Sequence, residues 1–180
     1  MDPEARLSIV DRRFEQMRLI VQRHGGALVS SIGDSGTVVF GTPRIREDDA
    51  LRAVRAAADL AGCLSQADEW TPRRLRPRIG INTGLALIGE RDNVVLGDAI
   101  DLAVRLEHAA APGQILLGPE TVALVRHAVR IEPLGSRSAR GEPELEWAGR
   151  LIWTDSSHRV YEDPQDLLAH LDEVGVRRPL

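Results

Sequence analysis

The stretch Gly25-Gly26-Ala27-Leu28-Val29-Ser30-Ser31-Ile32-Gly33-Asp34-Ser35-Gly36-Thr37-Val38-Val39-Phe40 decides the fold. Its two leading glycines end a helix, because glycine takes the left-handed conformation of a helix C-terminus without a Cβ penalty. Ala27 to Ile32 then reads as a short strand and Thr37 to Phe40 as a second. Gly33-Asp34-Ser35-Gly36 is a tight turn between them, so the segment is a hairpin with a carboxylate at its tip.

Upstream of the hairpin, Leu7, Val10, Phe14, Met17 and Val21 recur at helical spacing, and Asp2-Pro3 supplies an N-cap followed by proline at the first helical position. His24 stands at the helix end with the two glycines. Downstream, Pro43 breaks the pattern, and Asp48-Asp49 opens a second helix with Ala50, Val54, Ala57, Ala61 and Leu64 on one face. Ala67 to Arg74 is a polar linker. Leu75, Pro77, Ile79 and Ile81 alternate with Arg76, Arg78 and Gly80, the pattern of a half-buried strand. Thr83-Gly84 turns the chain into a strand from Leu85 to Ile88, and Gly89 to Asn93 is a loop. Gly97-Asp98 starts a helix that carries Leu102, Ala103, Leu106 and Ala110 inward, and Pro112-Gly113 stops it. A strand from Gln114 to Leu117, a short helix from Pro119 and two late strands, Val129 to Leu134 and Leu145 to Trp153, complete the pattern. After Thr154 the composition turns polar, and Asp163-Pro164 caps a last short helix. The expected organisation is one domain over residues 1–153 and a tail over 154–180.

Helices alternating with hairpin-joined strands predict an α+β fold. The order is that of a ferredoxin-like βαββαβ core: a mixed sheet with helices on one face. Such a core opens on a central strand. This sequence opens on a helix, so the first central strand is expected to be missing.

Composition narrows the function. At 180 residues with net charge -4, the chain fits one globular domain and offers no electrostatic reason to bind nucleic acid or an anionic membrane. All 23 basic residues are arginine, which excludes lysine-dependent Schiff-base chemistry. Cys63 is the only cysteine, so no disulfide closes within the chain and no thiolate-rich metal site is possible. Its place in an Ala-rich helix suggests a small buried apolar residue. The 5 histidines show no metal-ligand spacing. No apolar run is long enough to cross a membrane, and the N-terminus does not read as a signal peptide, so a cytoplasmic location is expected.

Four segments carry a further signal: Gly25 through Ser35, Asp48-Asp49-Ala50-Leu51-Arg52-Ala53, Arg78-Ile79-Gly80-Ile81-Asn82-Thr83-Gly84, and Leu96-Gly97-Asp98-Ala99-Ile100-Asp101-Leu102-Ala103-Val104-Arg105-Leu106. Pro112-Gly113-Gln114-Ile115 follows at matching distance. In this order and spacing they resemble the catalytic domain of class III adenylate/guanylate cyclases, over residues 3 to 153.

The resemblance implies a reaction in which a ribose 3′-hydroxyl attacks the α-phosphate of a nucleoside triphosphate and pyrophosphate leaves, with Mg2+ or Mn2+ as cofactor. It implies a composite site in a homodimer or a heterodimer with another cyclase domain. One subunit gives the metal-binding aspartates; the other gives base recognition and the transition-state residues. Asp34 matches one metal aspartate, and its bland alternative is an ordinary turn former. The other aspartate belongs to the strand that would precede the first helix. Arg105 matches the arginine that stabilises the transition state. Asp101 stands where the family has a ribose-orienting asparagine, and an i, i+4 ion pair with Arg105 is the structural alternative. Ser30 and Val94 occupy the base-reading positions, and neither the adenine nor the guanine set is present. Arg140 roughly matches a phosphate-binding lysine; a solvated surface arginine is its alternative. Asn82-Thr83-Gly84 reads as structural. Two functions stay open: a nucleotide cyclase in intracellular signalling, or a catalytically silent cyclase-like module that binds a regulatory partner.

Overall fold

The computed structural model describes residues 3–66, 75–89, 95–134 and 148–152. The chain starts with helix α1 (Pro3–Arg23), which runs into the hairpin β1 (Ala27–Ile32) and β2 (Ser35–Val39). Helix α2 (Asp49–Ser65) leads to β3 (Ile79–Ile81), β4 (Leu87–Ile88) and β5 (Val95–Leu96). Then come α3 (Asp98–Ala109), β6 (Ile115–Leu117), α4 (Pro119–Val125), β7 (Ile131–Pro133) and β8 (Gly149–Leu151). The expected tail, 154–180, lies outside the described residues.

The element order follows the sequence reading with one addition, β5, in a stretch not read as a strand; β2 starts at Ser35, inside the expected turn, and several later strands are shorter than expected. The strand expected from Leu75 is paired only over Ile79–Ile81. Ahead of it Leu75 donates its N–H to Leu64 at the end of α2, and Pro77 has no N–H to give a ladder. Val129 was expected in a strand, but its N–H bonds to Val125 O and continues the end of α4.

Strands β3-β6-β8-β7 form one sheet: β6 runs parallel to β3 and antiparallel to β8, and β7 is antiparallel to β8. The hairpin β1–β2 and the ribbon β4–β5 are separate two-stranded sheets. Among the described residues, β2 pairs only with β1 and β3 only with β6, so no strand joins the hairpin to the four-stranded sheet. The helix layer makes that connection. Helix α1 packs on β1 and on α2, and α2 packs on β3 and α4.

Alternation along β6 builds two cores. Ile115 and Leu117 point to α2 and α4, where Val54, Ala57, Val125 and Leu151 are buried with them. Leu116 points to the other face, against Leu106 and Ala110 of α3 and Ala148. The mixed α+β class is therefore the one expected, with one correction. Helices α1, α2 and α4 form a single layer, but α3 covers the opposite face of the sheet, because the apolar stripe of Leu102, Leu106 and Ala110 matches the second side of β6.

Candidate functional site

Helix α3 carries Asp101 and Arg105, and its position is fixed with little slack. Gly80 is the reason it lies close to β3. A Cβ there would stand 2.1 Å from Ala103 O and 2.5 Å from the Glu107 N, so only glycine lets the helix backbone rest on the strand. Gly97, with φ 140°, turns β5 into α3 in a conformation that residues bearing a Cβ rarely adopt. Asn82 Nδ2 donates to Ala99 O at 3.2 Å, and Arg78 pairs with Glu107 at 3.1 Å, so both ends of the helix are tied to the β3 segment. Thr83 and the fully buried Thr121 share a hydrogen bond of 2.9 Å, which links the same segment to α4. Asn82 Oδ1 is buried with no hydrogen-bond partner among the described residues.

The helix presents Asp98, Asp101, Val104 and His108 to solvent, while Arg105 is half-buried with its side chain engaged. The backbone N–H of Asp101 donates to Gly97 O at 3.3 Å, and its carboxylate makes no ion pair with Arg105 among the described residues. The carboxylate is left to solvent in the first turn of α3, where the helix dipole favours a negative charge.

Asp34 sits between β1 and β2, exposed and without a partner among the described residues. No group of three His, Cys, Asp or Glu side chains comes together among the described residues. A hard divalent cation requires several oxygen ligands, and one exposed carboxylate does not supply them. The described residues therefore do not by themselves fit Mg2+ or Mn2+.

Ser30 is exposed on β1. Beyond Leu28 the register slips: Leu28 pairs with Val38, but Ser30 pairs with Thr37. The extra residue, Val29, is a β-bulge. Val94 and Arg140 lie outside the described residues. Asp34 and Ser30 thus belong to the hairpin, Asp101 and Arg105 to α3, and these two units are carried by different parts of the fold.

Sequence reasoning passed over three positions. Gly80 was read as one polar-side residue of a strand; a glycine between two isoleucines is itself the signal of close backbone approach. Asn82 was read as structural without a named partner; its bond to α3 joins segments 17 residues apart. Thr37 was hidden because hairpin register, and the bulge that resets it, are not written in residue spacing.

Several features sit outside this region. His24 Nε2 lies 2.8 Å from Asp59 Oδ2, with both side chains mostly buried, and so joins the end of α1 to α2. Cys63 is half-buried in α2, less enclosed than its Ala-rich context suggested. No described helix is long and apolar enough to cross a membrane.

The sequence profile described as "Adenylate and Guanylate cyclase catalytic domain" matches residues 1–150. A Mycobacterium tuberculosis protein named "Adenylate cyclase" is 25% identical over 170 residues, covering 92% of this chain and 37% of that protein. The catalytic core of a rhodopsin-guanylyl cyclase with converted specificity, solved with ATPalphaS, superposes with TM-score 0.74 at 22% identity, covering 84% of this chain and 85% of that one. The adenylyl cyclase CyaB from P. aeruginosa gives TM-score 0.72 at 22% identity, with 87% and 86% covered. At that identity the two structures establish the shared fold. The chain spans between 14% and 37% of the length of the first curated relatives it matches.

Proposed function

The chain belongs to the adenylate and guanylate cyclase catalytic-domain family, and we propose that it acts as one half of a shared nucleotide site, giving base and transition-state contacts while a second cyclase domain gives the metal ligands. The observation that carries this reading is the solitary Asp34. Among the described residues it belongs to no group of three His, Cys, Asp or Glu side chains that could hold a metal ion, whereas Arg105 rides on a helix seated by Gly80, Asn82 and Glu107. A site that is well built on one side and poor in carboxylates on the other suits a partner that brings the missing oxygens.

The family reaction sets the roles. Negative charge grows on the α-phosphate as the 3′-hydroxyl attacks and pyrophosphate leaves, and a guanidinium held at a fixed place stabilises that charge. Arg105 is the candidate. Asp101 is four residues earlier on the same helix, where it can accept a hydrogen bond from a ribose hydroxyl but cannot donate one as an asparagine would. Ser30, Val94 and Arg140 are the candidates for base and phosphate contact. Divalent cations, when supplied by a complete partner site, would neutralise the triphosphate.

A second reading is favoured by a specific feature. Ser30, Val94 and Asp101 all depart from the family's residues, which suits a silent module whose nucleotide or partner binding regulates another domain. The two readings separate in one assay. The full chain is incubated with each nucleoside triphosphate and Mn2+, alone and with a complete cyclase domain that lacks its own transition-state arginine. The half-site reading expects cyclic nucleotide from the mixture only, lost on Arg105→Ala. No product from the mixture supports the silent module. Product from the chain alone that disappears on Asp34→Ala overturns both.

A further inference from the structure

The hairpin places a second hydroxyl beside Ser30. Opposed residues of an antiparallel pair share a face, and neighbours along a strand alternate. A Cβ on Gly36 would meet Met17 of α1 and Leu28, so Gly36 and Leu28 face the helix. Thr37, the next residue, faces away. In an unbroken strand Ser30 would follow Leu28 onto the helix side, two residues on. The bulge at Val29 reverses this and sets Ser30 opposite Thr37 on the face that α1 leaves open. Ala27 and Val39, also opposed, lie on the same face and form an apolar floor beside the two hydroxyls.

Neither hydroxyl has a side-chain partner among the described residues. Ser30 is exposed and Thr37 half-exposed, although cross-strand Ser and Thr side chains are within reach of each other. A threonine used only for its strand preference leaves nothing to explain. A bulge that brings two unpaired hydroxyls together next to an apolar patch is a contact surface with its hydrogen bonds unspent.

We propose that Thr37 is a specificity-determining residue that acts with Ser30 on the base of the nucleoside triphosphate; this rests on the half-site reading above. Each hydroxyl donates one hydrogen bond or accepts up to two, and rotates to suit. Adenine offers a donor next to an acceptor along its pairing edge, and guanine offers the reverse. A hydroxyl pair satisfies both orders, whereas a charged or fixed-direction side chain satisfies one. The pair therefore selects a purine edge weakly and does not separate adenine from guanine.

The test mixes the full chain with a complete cyclase domain that lacks its own transition-state arginine, adds Mn2+, and titrates ATP, GTP and inorganic tripolyphosphate by calorimetry. ATP and GTP are expected to bind within about threefold of each other. Thr37→Val keeps the shape and strand preference, and is expected to weaken both nucleotides by roughly 3- to 10-fold, the worth of one hydrogen bond, with tripolyphosphate unchanged. Thr37→Ser should restore them. Unchanged nucleotide affinity in Thr37→Val, or an equal loss for tripolyphosphate, overturns the hydroxyl pair alone. If that mixture forms no cyclic nucleotide, or if Arg105→Ala leaves its cyclase rate unchanged, the half-site reading falls and this inference with it.

Discussion

Strands β3 and β6 are parallel neighbours, paired residue for residue from Ile79–Ile115 to Ile81–Leu117, yet they live in different surroundings. All of β6 is buried, with strands on both sides and a helix on each face. All of β3 is only half-buried, with one strand edge paired among the described residues. The same contrast separates the four-stranded sheet from the hairpin β1–β2, which has an exposed first half of β2 and is held through α1. The difference teaches where rigidity resides. The candidate arginine is mounted on the densely packed side, and the candidate carboxylate on the side held by a helix layer instead of by continuous strand pairing.

The contrast can be broken most directly by removing side chains from each half. Leu116→Ala deletes a fully buried side chain between β6 and α3 and should destabilise the chain by about 2–5 kcal/mol in urea unfolding. Val38→Ala, half-buried on β2, should cost about 1 kcal/mol or less, since part of its surface is already in water. Equal losses would show that the hairpin is as tightly integrated as the sheet.

A second substitution sharpens the link between packing and site. Gly80→Ala puts a methyl group into the backbone of α3, at Ala103 O and Glu107 N. Overpacking of this kind costs about 1–3 kcal/mol, and here the helix must shift to relieve it. The expected outcome is a folded chain of lower melting temperature whose nucleotide affinity falls by more than its stability loss explains, because Arg105 moves with the helix. A chain that melts lower but binds nucleotide as before would detach Gly80 from the site.

These effects also mark how far the sequence could be read. The helices and the hairpin were legible because periods of two and 3.6 residues are local properties. Burial of Val54, Ala57, Leu106 and Ala110 follows from them and is found. The second layer was not legible: α3 has an ordinary amphipathic stripe, and nothing in it says which face of the sheet the stripe meets. Candidate site residues were legible one at a time, through resemblance. What joins them was not. The Asp101–Arg105 pair had ideal helical spacing, but Arg105 is half-buried while Asp101 turns to solvent. Thr37 became a neighbour of Ser30 only through a bulge.

Two polar pairs on α1 extend the comparison to smaller effects. His24 and Asp59 approach to 2.8 Å with side chains 12% and 14% exposed, and they fasten α1 to α2 across the join between the two halves. A double-mutant cycle of His24→Ala and Asp59→Ala should return a coupling of about 0.5–1 kcal/mol, given that a pair partly shielded from water gains more than an exposed one. A coupling of zero would leave the α1–α2 contact to apolar packing alone.

The weakest contribution belongs to Glu15 and Arg18, an exposed pair within α1. Arg18 donates to both carboxylate oxygens of Glu15, at 2.6 and 3.0 Å. That hydrogen bonding is the main reason the Glu15 carboxyl titrates below the ordinary glutamate range, with desolvation opposing it and the charge of Arg18 adding a smaller part. A depressed carboxylate contributes stability that is present above its unfolded pKa and is lost as pH falls through the folded value. In water such a contribution is small, because both side chains can find equal partners in the solvent. Arg18→Ala should therefore raise the Glu15 carboxyl toward its ordinary value in an NMR titration while leaving the unfolding midpoint at neutral pH unchanged. A clear fall in that midpoint would mean that α1 bears load along its exposed face as well as at His24, and the division between a packed half and a helix-held half would need to be drawn further toward the N-terminus.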